Sequence, residues 1–160
     1  MLDGLAYANG VAVARDGSFV LVAETNRARI SRVFLAGARA GERDVFVGKL
    51  PAFPDGVTAA PDGGFWIAGI ARVVPIAGRL ASYPRLRTLA AHVAAAVFPL
   101  VSKPGAFALK VDAAGKPERA LSDPTGARVS SMSCVAQHGD RLFLGNLAGD
   151  FVSVVDLAAP

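Results

Sequence analysis

The chain has 160 residues, 52% of them hydrophobic, with one cysteine and a formal net charge of +4. This composition suits one compact domain and excludes a disordered chain. The arginines are scattered, so nothing indicates nucleic-acid binding, and a single cysteine excludes an internal disulfide. The first ten residues lack the regions of a secretion signal, and no apolar stretch is long enough to span a bilayer. A cytoplasmic location is therefore the default expectation.

The first predicted unit covers residues 8–50 and contains four short strands. Val11 and Val13 alternate with alanines after an Asn-Gly turn, and an Asp-Gly hairpin turn leads into a strand at 19–24. Apolar runs at 28–35 and 43–48 supply two more strands. Four short antiparallel strands are typical of one blade of a β-propeller.

A second unit, predicted at 53–123, repeats the opening of the first. The segment FPDGVTAAPDGGFWIA follows YANGVAVARDGSFVLVAE at a period of about 45 residues, which is found in solenoids and propellers. Further strands are predicted at 65–70, 105–112 and 118–123. The repeat places Asn9 and Asp55 at equivalent positions of two successive blades.

An insertion at 71–104 interrupts the second unit and changes the sequence period. Apolar residues at helical spacing between prolines predict one α-helix near 84–98. This helix would pack on the blades, form a lid, or contact a membrane surface through Arg85 and Arg87. Packing on the blades is the interpretation that we favour.

The third unit is predicted at 130–158, with strands at 130–137, 141–147 and 151–157. It has three strands, and propellers commonly complete the last blade with a strand from the other end of the chain. The segment MLDGLAY at 1–7 is the candidate for that strand. The sequence thus predicts an all-β fold, a single partial β-propeller domain over 1–160 with about three blades.

Two further residues are predicted to be structural. Glu24 ends a strand beside Arg27 and Arg29, which indicates an ion pair within the blade. Cys134 has no neighbour in the sequence that would activate a nucleophile, so we expect a small core residue.

Three segments closely resemble the strictosidine-synthase-like family, and together they cover nearly the whole chain. They are DGLAYANGVAV, the stretch from DGSFVLVAE to PDGGFWIA, and LSDPTGARVSSMSCVAQHGDRLFLGNL. The family is part of a superfamily of calcium-dependent six-bladed propellers that includes gluconolactonase-type (SMP-30) and paraoxonase-type hydrolases. The resemblance implies that the chain corresponds to the last three blades. It would then be a fragment, or a half that associates with a second copy to remove unpaired strand edges.

The resemblance also implies a metal site. In the superfamily, the Asn of such an NG turn and the Asp of the following PDG turn bind an axial calcium, which makes Asn9 and Asp55 the expected ligands. Calcium takes about six to eight hard oxygen donors. Both dipeptides also serve simply as turns, but their shared register favours a ligand role. Further ligands in the superfamily come from earlier blades, so we expect this chain alone to bind calcium weakly.

The implied function is calcium-dependent hydrolysis of small-molecule esters or lactones, with the metal stabilising an oxyanion. Ser133 aligns with a glutamate that strictosidine synthase uses, which argues against the alkaloid-forming condensation. As weaker catalytic candidates, Ser133 either lines the cavity or only begins its strand, and His92 is either a base on a lid or a packed helix residue. The alternative function is a non-catalytic propeller fragment that acts as a binding module.

Overall fold

The computed structural model describes residues 3–73, 102–103, 105–147 and 149–159. These residues form three antiparallel sheets that follow one another along the chain, so the all-β prediction is confirmed. The predicted helix near 84–98 and its His92 lie outside the described residues. No helix within the described ranges is long and apolar enough to cross a membrane.

The first sheet contains four strands in sequential order. They are β1 (Ala8–Val13), β2 (Phe19–Glu24), β3 (Arg29–Phe34) and β4 (Arg43–Val47). The predicted Asp-Gly turn joins β1 to β2, with Gly17 at a φ of 72° that favours glycine. Asp16 fixes this turn by accepting hydrogen bonds from the backbone N–H and the hydroxyl of Ser18. The hairpin sets which residues of β1 and β2 face each other.

The second sheet follows the same plan with one addition. Its strands are β5 (Ala52–Ala59), β6 (Phe65–Val73), β7 (Ser102–Lys103), β8 (Ala106–Val111) and β9 (Pro117–Asp123). The order is β5-β6-β8-β9, and the short β7 pairs with β6.

The third sheet has three strands, β10 (Met132–His138), β11 (Arg141–Asn146) and β12 (Ser153–Asp156). The prediction that residues 1–7 supply its fourth strand is wrong for the part that is described, because residues 3–7 lie against the first sheet. The N–H of Thr25 donates to the carbonyl of Tyr7, and the N–H of Ala6 donates to the carboxylate of Glu24. A buried carboxylate needs donors, and the N-terminal segment supplies one of them.

Two hydrophobic cores hold the three sheets face to face. Successive residues of a strand point to opposite faces, and so Phe65 of β6 packs against the first sheet while Trp66 packs against the third. Each is 1% exposed. Phe19 and Phe46 of the first sheet meet the Phe65 ring with centroids 5.8 Å away. The Trp66 indole N–H donates to the side chain of Gln137 over 2.8 Å.

The DPTG loop that leads into the third sheet is organised by Asp123. Its carboxylate accepts the backbone N–H groups of Arg128, Val129 and Thr125, and the hydroxyl of Thr125 as well. The hydrogen bond from the backbone N–H of Arg128 contributes most to holding the pKa of Asp123 well below its usual range. An ionised Asp123 therefore fixes the path of the chain just before β10.

Candidate functional site

The first strands of the three sheets, β1, β5 and β10, approach one another so closely that glycine is required. A Cβ atom on Gly10 would lie 2.5 Å from the carbonyl oxygen of Asp55, and a Cβ atom on Gly56 would lie 2.5 Å from the carbonyl oxygen of Ser133. Real Cβ atoms do not come this near to a backbone oxygen. The same short stretch of each strand therefore lies beside its counterpart in the next sheet.

Each of these strands carries a register irregularity at the same place. The pairing of the first strand with the second shifts by one residue, as in a β-bulge, and such bulges redirect side chains next to functional sites. The shifts fall between Ala8 and Val11, between Pro54 and Val57, and between Met132 and Cys134. They set Asn9, Asp55 and Ser133 at equivalent positions, and we call these three residues the bulge cluster.

The structure brings Asn9 and Asp55, the two predicted metal ligands, into contact. The side-chain N–H of Asn9 donates to a carboxylate oxygen of Asp55. Asn9 is exposed and Asp55 is half-buried. Burial raises the pKa of the Asp55 carboxyl above its ordinary value. The amide of Asn9 and the partly desolvated carboxylate of Asp55 thus lie in contact at the surface. Their role as metal ligands stays a prediction.

The donor chemistry at this point suits part of a calcium shell. The oxygen and nitrogen of the Asn9 amide exchange places on a half-turn of the amide, which would direct its oxygen toward the carboxylate of Asp55. Carboxylate and amide oxygens are the donors that calcium prefers. Within the ranges that the structure describes, no group of three or more His, Cys, Asp or Glu residues could hold a metal. Two side chains of the right kind are present.

Ser133, the third member of the bulge cluster, is half-buried, with its carbonyl oxygen against Gly56. Cys134 follows it and is exposed, so the prediction that Cys134 is a core residue is wrong. In the pairing of β10 with β11, Cys134 is opposite Gly145, and the next such pair joins Ala136 to Phe143. These residues belong to the face of the third sheet that the second sheet leaves uncovered.

Glu24 anchors the first sheet immediately beside the bulge cluster. It is fully buried and accepts hydrogen bonds from Ser31 at 2.5 Å, Arg29 at 2.7 Å and Arg27 at 2.8 Å. Burial alone would raise the pKa of Glu24, but Ser31, the Ala6 N–H and Arg29 outweigh it and lower the pKa to about 2. The predicted ion pair with the neighbouring arginines is confirmed.

Two threonines that the sequence did not single out connect the sheets at this end. The hydroxyl of Thr25 donates to the carbonyl of Pro54 over 2.7 Å, and the hydroxyl of Thr58 donates to the carbonyl of Val135 over 2.6 Å. The first bond fixes the residue that precedes Asp55. The second joins β5 to β10 just beyond the close approach of Gly56. Threonines near turns are common in sequences, so their positions alone do not predict these hydrogen bonds between sheets.

Comparison with solved structures defines the class of protein. A gluconolactonase from Xanthomonas campestris matches with a TM-score of 0.55 and 18% identity, covering 91% of this chain and 36% of that chain. A luciferin-regenerating enzyme matches with a TM-score of 0.54 and 16% identity, over 89% of this chain and 38% of that one. The calcium-binding protein regucalcin from Agrobacterium tumefaciens matches with a TM-score of 0.51 and 17% identity, over 91% and 41%. The fold is that of a partial β-propeller.

Sequence comparison identifies relatives that this chain resembles. The strictosidine synthase family model matches residues 1–38. Protein STRICTOSIDINE SYNTHASE-LIKE 10 of Arabidopsis thaliana is 35% identical over 162 residues, which cover 98% of this chain and 43% of that protein. The human adipocyte plasma membrane-associated protein is 32% identical over 172 residues, covering 99% and 39%. The chain is similar to strictosidine-synthase-like proteins along nearly its whole length and spans about two fifths of the length of these curated relatives.

Proposed function

We propose that this propeller binds calcium through Asn9 and Asp55, and that the assembled propeller hydrolyses small-molecule esters or lactones. One observation carries the proposal: an amide and a half-buried carboxylate meet at equivalent bulges of neighbouring sheets. Two proteins of the same fold, a calcium-binding protein and a gluconolactonase, support the choice of metal and of reaction.

The residues of the bulge cluster would have separate roles. The carboxylate of Asp55 and the amide oxygen of Asn9 would hold the metal, which would polarise the carbonyl of a bound ester as a Lewis acid. Asp55 supplies the negative charge, and its partial burial strengthens its attraction for a cation. Ser133, at the equivalent position of the third sheet, offers a hydroxyl that can orient substrate or water by a hydrogen bond.

Rigidity of the backbone would keep these groups in place. Gly56 packs directly on the backbone of Ser133, and the hydroxyl of Thr25 fixes the carbonyl of Pro54 beside Asp55. Preorganised donors contribute most to catalysis because they need no rearrangement when charge develops. We therefore expect substitutions of this packing to reduce activity even where no ligand is removed.

The proposal is tested by hydrolysis of an aryl ester and of a lactone, measured before and after chelation and again after calcium is restored. We expect turnover to be lost on chelation, to return with calcium, and to be absent in Asp55→Asn. Asp16→Asn is the matched control, because Asp16 also precedes a glycine in a turn but lies at the β1–β2 hairpin. Turnover that is unchanged by the chelator and persists in Asp55→Asn would contradict the proposal.

A binding module without catalytic activity is the second candidate. It is favoured by the small donor set, since the described part of the chain has no cluster of three metal-ligating acidic, histidine or cysteine residues. This candidate predicts neither calcium heat nor chelator-sensitive turnover of either substrate. The amine-aldehyde condensation of strictosidine synthase is not proposed, because Ser133 replaces the glutamate at the corresponding position and cannot act as a carboxylate base.

A further inference from the structure

One buried threonine is bonded both to the segment that carries Asn9 and to the strand that carries Asp55. Thr25 is the first residue after β2, where a short 3₁₀ turn begins. Its backbone N–H donates to the carbonyl of Tyr7 over 3.2 Å, and its hydroxyl donates to the carbonyl of Pro54 over 2.7 Å. Tyr7 lies two residues before Asn9, and Pro54 lies directly before Asp55. We call these two hydrogen bonds the threonine clamp.

The side of the clamp at Tyr7 is held by further bonds. Ala6 donates its N–H to the buried carboxylate of Glu24 over 2.9 Å, and its carbonyl accepts the N–H of Asn26 over 3.3 Å. Tyr7 has a φ of 60°, in the left-handed region that is unfavourable for a residue other than glycine. Such a conformation persists where the surrounding contacts fix it. The residues that end β2 therefore set the position of the segment that enters β1.

The hydroxyl on the other side of the clamp is not needed to build a sheet of this kind. In the third sheet the N–H of Leu147, the first residue after β11, donates to the carbonyl of Ser131 over 2.9 Å. Ser131 has a φ of 51° and precedes Ser133 by two residues. This bond is therefore the counterpart of the one between Thr25 and Tyr7, and it forms with a leucine. The Thr25 hydroxyl is an addition to that pattern, and it joins the two sheets that carry the candidate ligands.

The separation of β1 and β5 is limited from both sides. A Cβ atom on Gly10 would lie 2.5 Å from the carbonyl oxygen of Asp55, so the two strands are already as near as glycine allows. The hydroxyl of Thr25 limits how far apart they can move. This matters because calcium binds its oxygen ligands at about 2.3–2.6 Å. The Asn9 amide and the Asp55 carboxylate can reach one cation only while the strands keep this separation.

We propose that Thr25 is a positioning residue that sets the distance between the Asn9 amide and the Asp55 carboxylate, and with it the affinity of this pair for calcium. The inference rests on the function proposed above for these two side chains. The bond to Pro54 fixes the backbone one residue away from Asp55, so its loss lets the carboxylate move relative to the amide. Replacing a group that orients a metal ligand typically lowers metal affinity by about 10- to 100-fold.

Thr25→Val tests the clamp, because valine keeps the branched shape and the backbone N–H of threonine while it removes the hydroxyl. Thr25→Ser keeps the hydroxyl and should restore the wild-type behaviour. Thr58→Val is the matched control, since the Thr58 hydroxyl also donates to a carbonyl of a neighbouring sheet, over 2.6 Å, but joins β5 to β10. Circular dichroism checks that each variant keeps its strands. Thr25→Ala, which places no methyl group where the hydroxyl was, is used if the valine variant does not fold.

The first readout needs no metal. The chain has three asparagines and one glutamine, so a nitrogen–proton correlation NMR spectrum contains few side-chain amide signals. The Asn9 pair of signals is the one that disappears in Asn9→Ser. We expect Thr25→Val to shift this pair toward its position in Asp55→Ala, in which the Asn9 amide has lost its acceptor. Thr25→Ser and Thr58→Val should leave the pair at its wild-type position.

The second readout is calorimetric titration with calcium chloride. We expect Thr25→Val to bind calcium at least about tenfold more weakly than the wild type, and Thr25→Ser and Thr58→Val to bind it as tightly as the wild type. A wild type that binds no calcium would contradict the proposed function, and the Asn9 signals would then decide the positioning role by themselves. The positioning role is overturned by an Asn9 pair that keeps its wild-type position in folded Thr25→Val, by unchanged calcium affinity in that variant, or by an equal loss of affinity in Thr58→Val.

Discussion

Replacing Gly56 by alanine tests the close approach of the strands that forms the bulge cluster. The new methyl group would lie 2.5 Å from the carbonyl oxygen of Ser133 and 3.1 Å from the Cα atom of Cys134. Both are backbone atoms, so β5 and β10 must separate to admit it. Overpacking of this kind costs about 1–3 kcal/mol. For a chain of this length, about 2 kcal/mol corresponds to a fall in Tm of about 4–8 °C.

Urea unfolding followed by tryptophan fluorescence measures this loss. Trp66 is the only tryptophan, and it is buried between the second and third sheets, which are the sheets that Gly56→Ala would force apart. Gly48→Ala is the matched control, because its Cβ atom would meet only a Val45 methyl at 3.4 Å. We expect a change within about 0.5 kcal/mol for the control. Equal unfolding free energies for the two variants would refute the close approach.

Three further predictions concern stability. The ionised Glu24, with its pKa lowered from 4.5 to about 2, stabilises the fold above pH 4.5, and this contribution is lost as the pH falls toward 2. Urea unfolding over this range should therefore lose about 3 kcal/mol more in the wild type than in Glu24→Gln. Thr58→Val leaves the Val135 carbonyl without its hydroxyl donor, and urea unfolding should show a loss of about 1–2 kcal/mol. Lys110 is 6% exposed and paired with both Asp62 and Glu118; thermal melts should show a lower Tm for the double change Asp62→Ala with Glu118→Ala, which strands the ammonium, than for Lys110→Met, which removes it.

Each of these predictions has an outcome that contradicts it. Parallel pH profiles for the wild type and Glu24→Gln would mean that the carboxylate is not held ionised by its partners. An unchanged unfolding free energy in Thr58→Val would mean that water replaces the hydroxyl. A higher Tm for the double variant than for Lys110→Met would mean that the buried ammonium is satisfied without these two carboxylates.

Local sequence rules predicted most of the strands. The run at 19–24 is β2 residue for residue, because alternating apolar side chains follow an Asp-Gly turn that only a hairpin satisfies well. The repeat was equally informative about the site. Equivalent residues of successive sheets lie side by side when the strands pack in register, and so the sequence alone brought Asn9 and Asp55 together.

What the sequence could not predict depends on contacts between distant backbones. A bulge adds one residue without disturbing the apolar pattern, so the shift between Met132 and Cys134 was invisible and Cys134 was assigned to the wrong side of its strand. The N-terminal segment was expected at the third sheet, but the buried Glu24 binds the N–H of Ala6. A buried carboxylate needs hydrogen-bond donors from other parts of the chain. The apolar pattern of a strand carries no information about where those donors come from.

Calorimetric titration with calcium is the most direct test of the claim that Asn9 and Asp55 form a cation site. The metal-free chain and the Asp16→Asn control should bind one calcium with measurable heat. Asp55→Asn should bind at least about tenfold more weakly, a difference of about 1.4 kcal/mol. Absence of calcium heat in the wild type, or equal affinity in the wild type and Asp55→Asn, would contradict the account.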